Sequence, residues 1–307
     1  MKTNTVHIKK NTQKLFTAIG VSMVLLVASC VYTIPNIEEQ PVMTMATATT
    51  TEEPMPSPSE ISTVFSLPTS TPPPMPYMTE LGTLGWVWHT SVPIESLQKF
   101  WKIGYHINSM AFGNGLWGAI LNKEGDLESQ KILVDTDLPE KDIDQAWMDR
   151  LSVTSIAYGN NQWVVVLSKT SQFSAQKIVT ALKLPRDEID NMLKSGYWVT
   201  SLAYGNSLWV IVFSKSGNII AQETILSSTF PLDAVQQGKK RGVFLTSQVY
   251  GNDTWFIILS KIGLKEQEIA EWPYLPKGQI IDFWENKDYH NIKIFYGEDM
   301  WFVIGEK

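Results

Sequence analysis

One residue pattern places aromatic rings beside carboxamide groups, and it recurs at five places in the chain. A Tyr or Phe is followed by Gly and, in four of the five copies, by Asn, and the copies are 46 residues apart. Aromatic faces beside amide groups suit the binding of glycans or peptides. The candidate ligand residues are Phe112, Asn114, Tyr158, Asn160, Tyr204, Asn206, Tyr250, Asn252 and Tyr296. The alternative is a structural role, in which these residues form the turn or pack beside it.

Residue types that catalyse reactions are scarce. A nucleophilic triad needs a nucleophile, a base and an orienting group. Beyond residue 30 the sequence has three histidines and no cysteine, and no histidine stands in a repeated position. The sequence also has no His or Cys cluster with zinc spacing and no glycine-rich phosphate loop. We therefore predict no catalytic residues, no metal and no cofactor. A hydrolase with paired carboxylates from non-equivalent loops is the alternative.

The only cysteine, Cys30, ends a segment typical of secretion signals. A basic stretch precedes about 14 apolar residues, which is too short to span a bilayer comfortably. The sequence VASC, Val27 to Cys30, resembles the lipobox of bacterial lipoproteins. This resemblance implies cleavage before Cys30 and acylation of Cys30, by palmitate among others, on the extracytoplasmic face of a bacterial envelope. An ordinary secretory signal or an uncleaved short anchor is the alternative for residues 1–29.

The next segment, residues 30–78, is rich in Thr, Ser and Pro. It has few large apolar side chains, so it cannot offset the entropy of ordering, and we predict a disordered tether. Residues 1–29 hold four lysines and no acid, so their removal changes the formal net charge from −6 to −10. That charge disfavours nucleic acid as a partner.

The remaining residues, 79–307, form a repeat. Its period is 46 residues, which is typical of propellers and solenoids. The recurring Trp begins an apolar run and is assigned to the core, whereas the recurring Lys ends that run and is assigned to a solvated strand end. The tryptophans are Trp117, Trp163, Trp209, Trp255 and Trp301, and the lysines are Lys123, Lys169, Lys215, Lys261 and Lys307.

Each unit is predicted to contain three strands and a short helix. Alternation before the turn places Val153 and Ser155 on one face of a strand, and the apolar run after the turn indicates a strand buried on both faces. Gly159 and Asn160 tolerate the positive φ of a hairpin turn. A third strand follows over AQKIVTA, and a proline with acids just after it predicts the start of a helix.

The order of these elements predicts a closed ring. The repeat starts at Gly85–Trp101 with a third strand and a helix, and it stops after a hairpin, so the ends are complementary half-units. We expect the strand near Trp86 to complete the last sheet. The result would be a mainly β, monomeric, five-fold propeller-like ring without free strand edges. A five-fold α/β propeller is the alternative architecture.

The stretch VTSIAYGNNQWVVVLSK resembles an uncharacterised tryptophan repeat of propeller type. That repeat occurs in bacterial proteins, some with protease or kinase modules, and beside plant casein-kinase-like domains. The likeness covers about residues 80–307, and it departs where Gln248 replaces an aliphatic residue. It implies a fold and a binding or scaffolding role, but no known reaction. We therefore expect a membrane-anchored, extracytoplasmic binding or scaffold module for a protein or an envelope glycan. A hydrolase of envelope polymer is the alternative.

Overall fold

A computed structural model describes residues 77–307 of the chain. The predicted signal peptide, Cys30 and nearly all of the predicted tether lie outside the described residues. In chain order the elements are β1 Tyr77–Leu81, β2 Leu84–His89, α1 Ile94–Lys102, β3 His106–Gly113, β4 Leu116–Asn122, β5 Gln130–Asp135, α2 Glu140–Met148, β6 Ser152–Gly159, β7 Gln162–Ser168, β8 Ala175–Ala181, α3 Arg186–Lys194, β9 Trp198–Gly205, β10 Leu208–Lys215, β11 Ala221–Ser227, α4 Leu232–Lys240, β12 Phe244–Gly251, β13 Thr254–Lys261, β14 Gln267–Trp272, α5 Lys277–Ile281, β15 Asn291–Gly297 and β16 Met300–Glu306. Helix α5 continues as a π-helical turn, Asp282–Asn286.

Hydrogen bonds group the strands into five antiparallel sheets, which we number 1 to 5 in chain order. Their strand orders are β1-β2-β4-β3, β5-β7-β6, β8-β10-β9, β11-β13-β12 and β14-β16-β15. In every sheet the strand before the helix pairs with the second strand of the hairpin that follows the helix. The described chain is therefore mainly β and built from repeated units, as predicted. The third strand predicted over AQKIVTA is confirmed as β8.

The predicted pairing between the two ends of the repeat is wrong. The strand at Trp86 is β2, and it pairs with β4 of the first sheet. The C-terminal hairpin has its own third strand, β14, in which Trp272 lies opposite Trp301. The reason is that the loop after each hairpin crosses to the next sheet. A third strand therefore belongs with the hairpin that follows it, and the described chain holds five whole units with β1 added at the edge of sheet 1.

Neighbouring sheets touch through the first strands of their hairpins. Strand β3 contacts β6, β6 contacts β9, β9 contacts β12 and β12 contacts β15, and β15 also contacts β3. Between this last pair, Asn108 Nδ2 donates a hydrogen bond of 2.6 Å to Asn291 Oδ1. Trp88 of sheet 1 packs edge-to-face on Trp301 of sheet 5, with ring centroids 5.1 Å apart. Sheets 1 and 5 thus share one hydrophobic core.

The recurring tryptophans and lysines lie where the sequence predicts. Trp117, Trp163, Trp209, Trp255 and Trp301 are all buried. The five lysines are exposed at or just beyond the ends of the second hairpin strands. The tryptophan rings fill the space between sheets, because the second strands are flanked by a strand on each side and covered on both faces.

The hairpin turns use one of the two residues that the sequence indicated: Asn160 adopts positive φ, but Gly159 does not. In the second hairpin, Asn160 and Asn161 adopt φ of 48° and 56°, the two positive values of a type I′ turn. Gly159 was predicted to adopt positive φ, but it ends a regular strand. Its small size has another cause, because a Cβ at Gly159 would overlap the ring of Phe112 from the preceding sheet.

This contact between a glycine and an aromatic ring recurs at all five sheet-to-sheet contacts. The pairs are Phe112 with Gly159, Tyr158 with Gly205, Tyr204 with Gly251, Tyr250 with Gly297 and Tyr296 with Gly113, and at Gly297 the Tyr250 Cβ and the Trp255 ring are the nearest atoms. The last pair joins sheet 5 to sheet 1. Each ring is fixed on its other side by the tryptophan of its own hairpin, with centroids 4.8 to 5.2 Å apart. The aromatic residue therefore has a packing role as well as any binding role.

We expect the substitution Gly205→Ala to destabilise the protein by about 1–3 kcal/mol, the usual cost of overfilling a packed site. The new Cβ would meet the base of the Tyr158 ring, which cannot swing away as a flexible chain end would. Urea denaturation of the full chain measures the effect. Gly217→Ala is the matched control, since nothing lies within 4 Å of its Cβ position. Equal stability of the two variants would contradict this packing account.

A β-bulge changes the face assignment made from the sequence. Val153 pairs with Leu167 and Ser155 with Val166, so the two residues lie on opposite faces rather than on one. The extra residue, Thr154, turns its hydroxyl toward Ser168 Oγ at 2.7 Å. Equivalent register shifts occur in β3, β9 and β12. The bulge places a serine between neighbouring sheets.

The helices begin as the prolines predict. The carbonyl of Pro139 accepts the first helical hydrogen bond, 3.0 Å from the N of Ile143. Ile143 and Ala146 then bury one face of α2, and Trp147 lies half-buried beside them. No helix within residues 77–307 has both the length and the apolar character needed to cross a bilayer.

Candidate functional site

The five predicted aromatic residues line a single cavity of about 520 Å³ at the hairpin-turn end of the sheets. We call it the aromatic cavity and define it by its rings, Phe112, Tyr158, Tyr204, Tyr250 and Tyr296. Each ring is half-buried. Each stands next to last in the first hairpin strand, so the repeat delivers one ring from every sheet to the same place. The cavity lies within the size range of small-molecule and peptide side-chain sites.

The predicted asparagines have a different location. Asn114, Asn160, Asn206 and Asn252 are exposed in the turns with φ of 48° or 49°, and none of them lines the cavity. Asn tolerates this conformation better than most side chains. The alternative turn role therefore applies to the asparagines. Asn114 has an added contact, because its Oδ1 accepts a 2.7 Å hydrogen bond from the hydroxyl of Tyr296 in sheet 5.

One wall of the aromatic cavity is acidic. Asp253, Glu298 and Asp299 belong to the last two hairpin turns, and all three line the cavity. Glu298 Oε2 accepts a 2.8 Å hydrogen bond from Trp255 Nε1, which fixes this carboxylate. The ion pairs within residues 77–307 use other carboxylates. The first three hairpin turns carry no acid, so the charge is concentrated on the side of sheets 4 and 5.

The negative charges of these carboxylates contribute to the raised pKa values of two neighbouring groups. Burial, and then the charges of Asp253, Glu298 and Asp299, raise the pKa of Tyr250. Burial and then the charge of Glu298 likewise raise the pKa of Glu271 at the end of β14. Both pKa values rise because burial and nearby negative charge oppose the loss of a proton from a tyrosine or a carboxyl group. The cavity wall would therefore attract a cation.

Exposed aromatic surface adjoins the acidic wall. Trp272 and Tyr274 follow β14 and are 44% and 73% exposed, which is unusual for such large side chains. Trp272 lies opposite Trp301, at the start of the second strand, and Pro273 O accepts a 3.1 Å hydrogen bond from Asn114 Nδ2. Both contacts place this surface at the turn end of the sheets. The sequence repeat did not indicate it, because these residues belong to the unit that departs most from the others.

A search of the curated proteins finds no match to this chain. A search of family profiles gives two overlapping matches to the domain of unknown function DUF7477, over residues 85–163 and 126–255. Together they cover more than half of the chain. The chain belongs to the DUF7477 family. Both matches end at a recurring tryptophan and they overlap within the array, so the DUF7477 profile itself spans repeated units.

One recurring residue of this DUF7477 chain, a glutamine, was not predicted to have a role. Gln176 of β8 bridges two sheets, because its Oε1 accepts from the N of Val153 at 2.7 Å and from Trp147 Nε1 at 3.0 Å. Its Nε2 donates to Val153 O and to Ser214 Oγ, both at 2.9 Å. We call this arrangement the glutamine clip. The other clips are made by Gln130, Gln222 and Gln267. The repeated spacing of Gln130, Gln176 and Gln222 was the available indication.

The contact between sheets 5 and 1 has no glutamine clip. Leu84 stands in β2 where the other sheets have the glutamine. Asn122 Nδ2 instead donates to His290 O at 2.7 Å, and Asn108 Nδ2 donates to Ile292 O at 2.7 Å. Asparagines of sheet 1 thus replace the clip at this one contact in the DUF7477 domain.

Proposed function

We propose that this chain is a membrane-anchored, extracytoplasmic binding module that holds a cationic segment of a partner protein in the aromatic cavity. One observation carries the proposal: five aromatic rings and three carboxylates from the last two turns line the same cavity of about 520 Å³. The carboxylates attract ammonium and guanidinium groups by Coulomb attraction, and the parts of the rings that reach the cavity offer apolar contact to the methylene groups of Lys or Arg. A segment that carries Lys or Arg beside apolar residues fits both features.

A protein partner is favoured over an envelope glycan by the charge and by the exposed rings. Trp272 and Tyr274 extend the apolar surface beyond the cavity, and exposed aromatic residues are enriched where proteins associate. A neutral glycan would use Asp253, Glu298 and Asp299 only as hydrogen-bond acceptors, whereas a cationic segment also gains Coulomb attraction from them. Hydrolysis of envelope polymer stays an untested alternative.

We further propose that the five sheets close into a propeller-like ring. The contact of β15 with β3, the packing of Tyr296 on Gly113 and the core shared by Trp88 and Trp301 support this arrangement. A ring explains why one cavity receives a residue from every sheet. It also leaves no sheet face between units uncovered.

The anchor is proposed from the sequence around Cys30. Acylation there would hold the tether and the binding module at the membrane surface. Labelling of the protein with a palmitate analogue, and loss of the label in Cys30→Ser, tests this part of the proposal. An unlabelled wild-type chain would refute it.

The cavity is tested by selecting random twelve-residue peptides on the full chain held in a zwitterionic detergent. We expect enrichment of Lys and Arg among the selected peptides. Binding of one selected peptide should weaken about tenfold or more in the triple variant Asp253→Asn, Glu298→Gln, Asp299→Asn, and it should weaken with added salt. The substitutions keep the size of each side chain and its ability to accept hydrogen bonds.

A second triple variant controls for net charge. Glu95→Gln, Asp144→Asn and Asp190→Asn remove three exposed carboxylates from the helices, away from the cavity. We expect this variant to bind like wild type. Equal weakening in both triple variants would show a non-specific charge effect and overturn the assignment. Enrichment of neutral peptides, or capture of neutral glycan probes by the wild type that the cavity variant loses, would also overturn it.

A further inference from the structure

A second cavity, of about 570 Å³, opens at the opposite end of the sheets from the hairpin turns. The loops that follow the second hairpin strands surround it, and all five sheets contribute to its lining. We call it the hydroxyl cavity, after a Thr–Ser pair that three successive sheets present to it. The pairs are Thr154 with Ser155, Thr200 with Ser201, and Thr246 with Ser247.

The threonine and serine hydroxyls of these pairs differ in their bonding. The threonine hydroxyls form hydrogen bonds within their own sheets. For example, Thr200 Oγ1 lies 2.6 Å from Ser214 Oγ. Ser155, Ser201 and Ser247 are only 9%, 9% and 7% exposed as residues, and within residues 77–307 their hydroxyls make no hydrogen bond. Their oxygen atoms are not fully buried, so they stay accessible from the cavity that they line. Three such groups that line one cavity leave hydrogen bonds available to its contents.

A buried carbonyl group without a partner lies where the hydroxyl cavity adjoins the aromatic cavity. Met110, Ile156, Leu202 and Gln248 occupy equivalent positions and line both cavities. Gln248 alone is polar, and its Oε1 is buried without a hydrogen-bond partner in the described structure. An unpaired buried carbonyl costs free energy that an aliphatic residue would avoid. A ligand that donates a hydrogen bond here would remove that cost.

The charges around the hydroxyl cavity favour a neutral ligand. Lys293 is paired with Glu306 at 2.9 Å, and this carboxylate is almost fully buried. Glu124 and Asp126 line the cavity as well, so an anion would meet unfavourable charge. Among residues 77–307 no group of three metal-binding side chains is present. These features disfavour phosphate and metal ions as occupants.

We propose that the hydroxyl cavity binds a neutral polyhydroxylated ligand, such as one or two sugar units. Serine hydroxyls both donate and accept, which matches the hydroxyls of a sugar, and Gln248 supplies an acceptor. The aliphatic side chains of Met110, Ile156 and Leu202 offer contact to the C–H face of a sugar ring. A volume of about 570 Å³ lies in the range typical of small-ligand sites.

Three neutral disaccharides, cellobiose, lactose and chitobiose, are the probes for the test. They are added separately to the full chain in a detergent without sugar groups, and binding is followed by ligand-observed NMR titration. We expect at least one of them to bind. The triple variant Ser155→Ala, Ser201→Ala, Ser247→Ala should weaken that binding about tenfold or more, because it removes three polar contacts while keeping the fold.

The variant Gln248→Leu separates ligand binding from stability, because we expect the two to change differently. Leucine is the residue at the equivalent position of sheet 3, so we expect the melting temperature to stay equal or rise while disaccharide affinity falls. A role of Gln248 in stability alone would lower the melting temperature instead. Tyr204→Phe in the aromatic cavity is the control and should leave disaccharide binding unchanged.

The proposal is overturned if none of the three disaccharides binds, or if the serine variant binds them like wild type. It stands independently of the proposed function, since the peptide test changes carboxylates at the other end of the sheets. Loss of peptide binding with retained disaccharide binding, or the reverse, separates the two sites.

Discussion

The substitution Trp301→Ala is expected to lower the free energy of unfolding by about 3–5 kcal/mol, the range for removing a fully buried aromatic side chain. The loss of stability should also extend beyond sheet 5, which contains Trp301. Trp301 packs on Trp88, so sheet 1 should lose support together with sheet 5 although 213 residues separate the two rings in the chain. Native-state hydrogen exchange of the full chain measures this effect strand by strand.

In the Trp301→Ala variant we expect amide protection to fall in β2 and β4 as well as in β14 to β16. The control is Trp163→Ala, whose ring lies in the core shared by sheets 2 and 3. It should cost a similar free energy without preferentially opening sheet 1. If sheet 1 keeps its protection in Trp301→Ala, the proposed ring is not closed. Stability would then be a sum of independent neighbour contacts, as in an open array.

Replacing Gln176 by Leu should cost about 2–4 kcal/mol. The substitution keeps the side-chain size but removes the glutamine clip, and it leaves the N–H and C=O of the fully buried Val153 without partners. Each unpaired buried group costs about 1–3 kcal/mol. Urea denaturation monitored by tryptophan fluorescence measures the loss, because Trp147 is also bonded to Gln176.

Gln145→Leu serves as the comparison for this substitution. Gln145 is exposed on α2, and its side chain bonds only Asp149 at 3.3 Å within the described residues. We expect its stability to stay within about 0.5 kcal/mol of wild type, as is usual for surface changes. If Gln176→Leu is as stable as Gln145→Leu, the backbone groups of Val153 must find other hydrogen-bond partners.

Much of the fold could be predicted because one 46-residue period repeats five times. The strands, the helix starts at proline and the buried tryptophans follow from local pattern. The pairing of the third strand could not be predicted in the same way. A strand between two hairpins suits either of them by sequence, and only the path of the loops decides. For the same reason, the strand near Trp86, which is β2, was assigned to the last sheet instead of the first.

The candidate site was partly predictable. The five aromatic residues were found because their type and spacing repeat. The acidic wall and the exposed Trp272 belong to a unit that breaks the pattern, so no repeat pointed to them. The hydroxyl cavity depends on a bulge that turns Ser155 to the opposite face from Val153, and alternation alone assigns that face wrongly.

The shared core of the first and last sheets also has a consequence for the time course of synthesis. Trp86 and Trp88 emerge early, but the residues that bury them, up to Val303, are made last. At about 5–20 residues per second the interval is roughly 10–40 s. Throughout it, sheet 1 presents two indole rings without their final neighbours. Any delay late in translation therefore lengthens the exposure of the first residues to fold, and aggregation would begin at the N-terminal end.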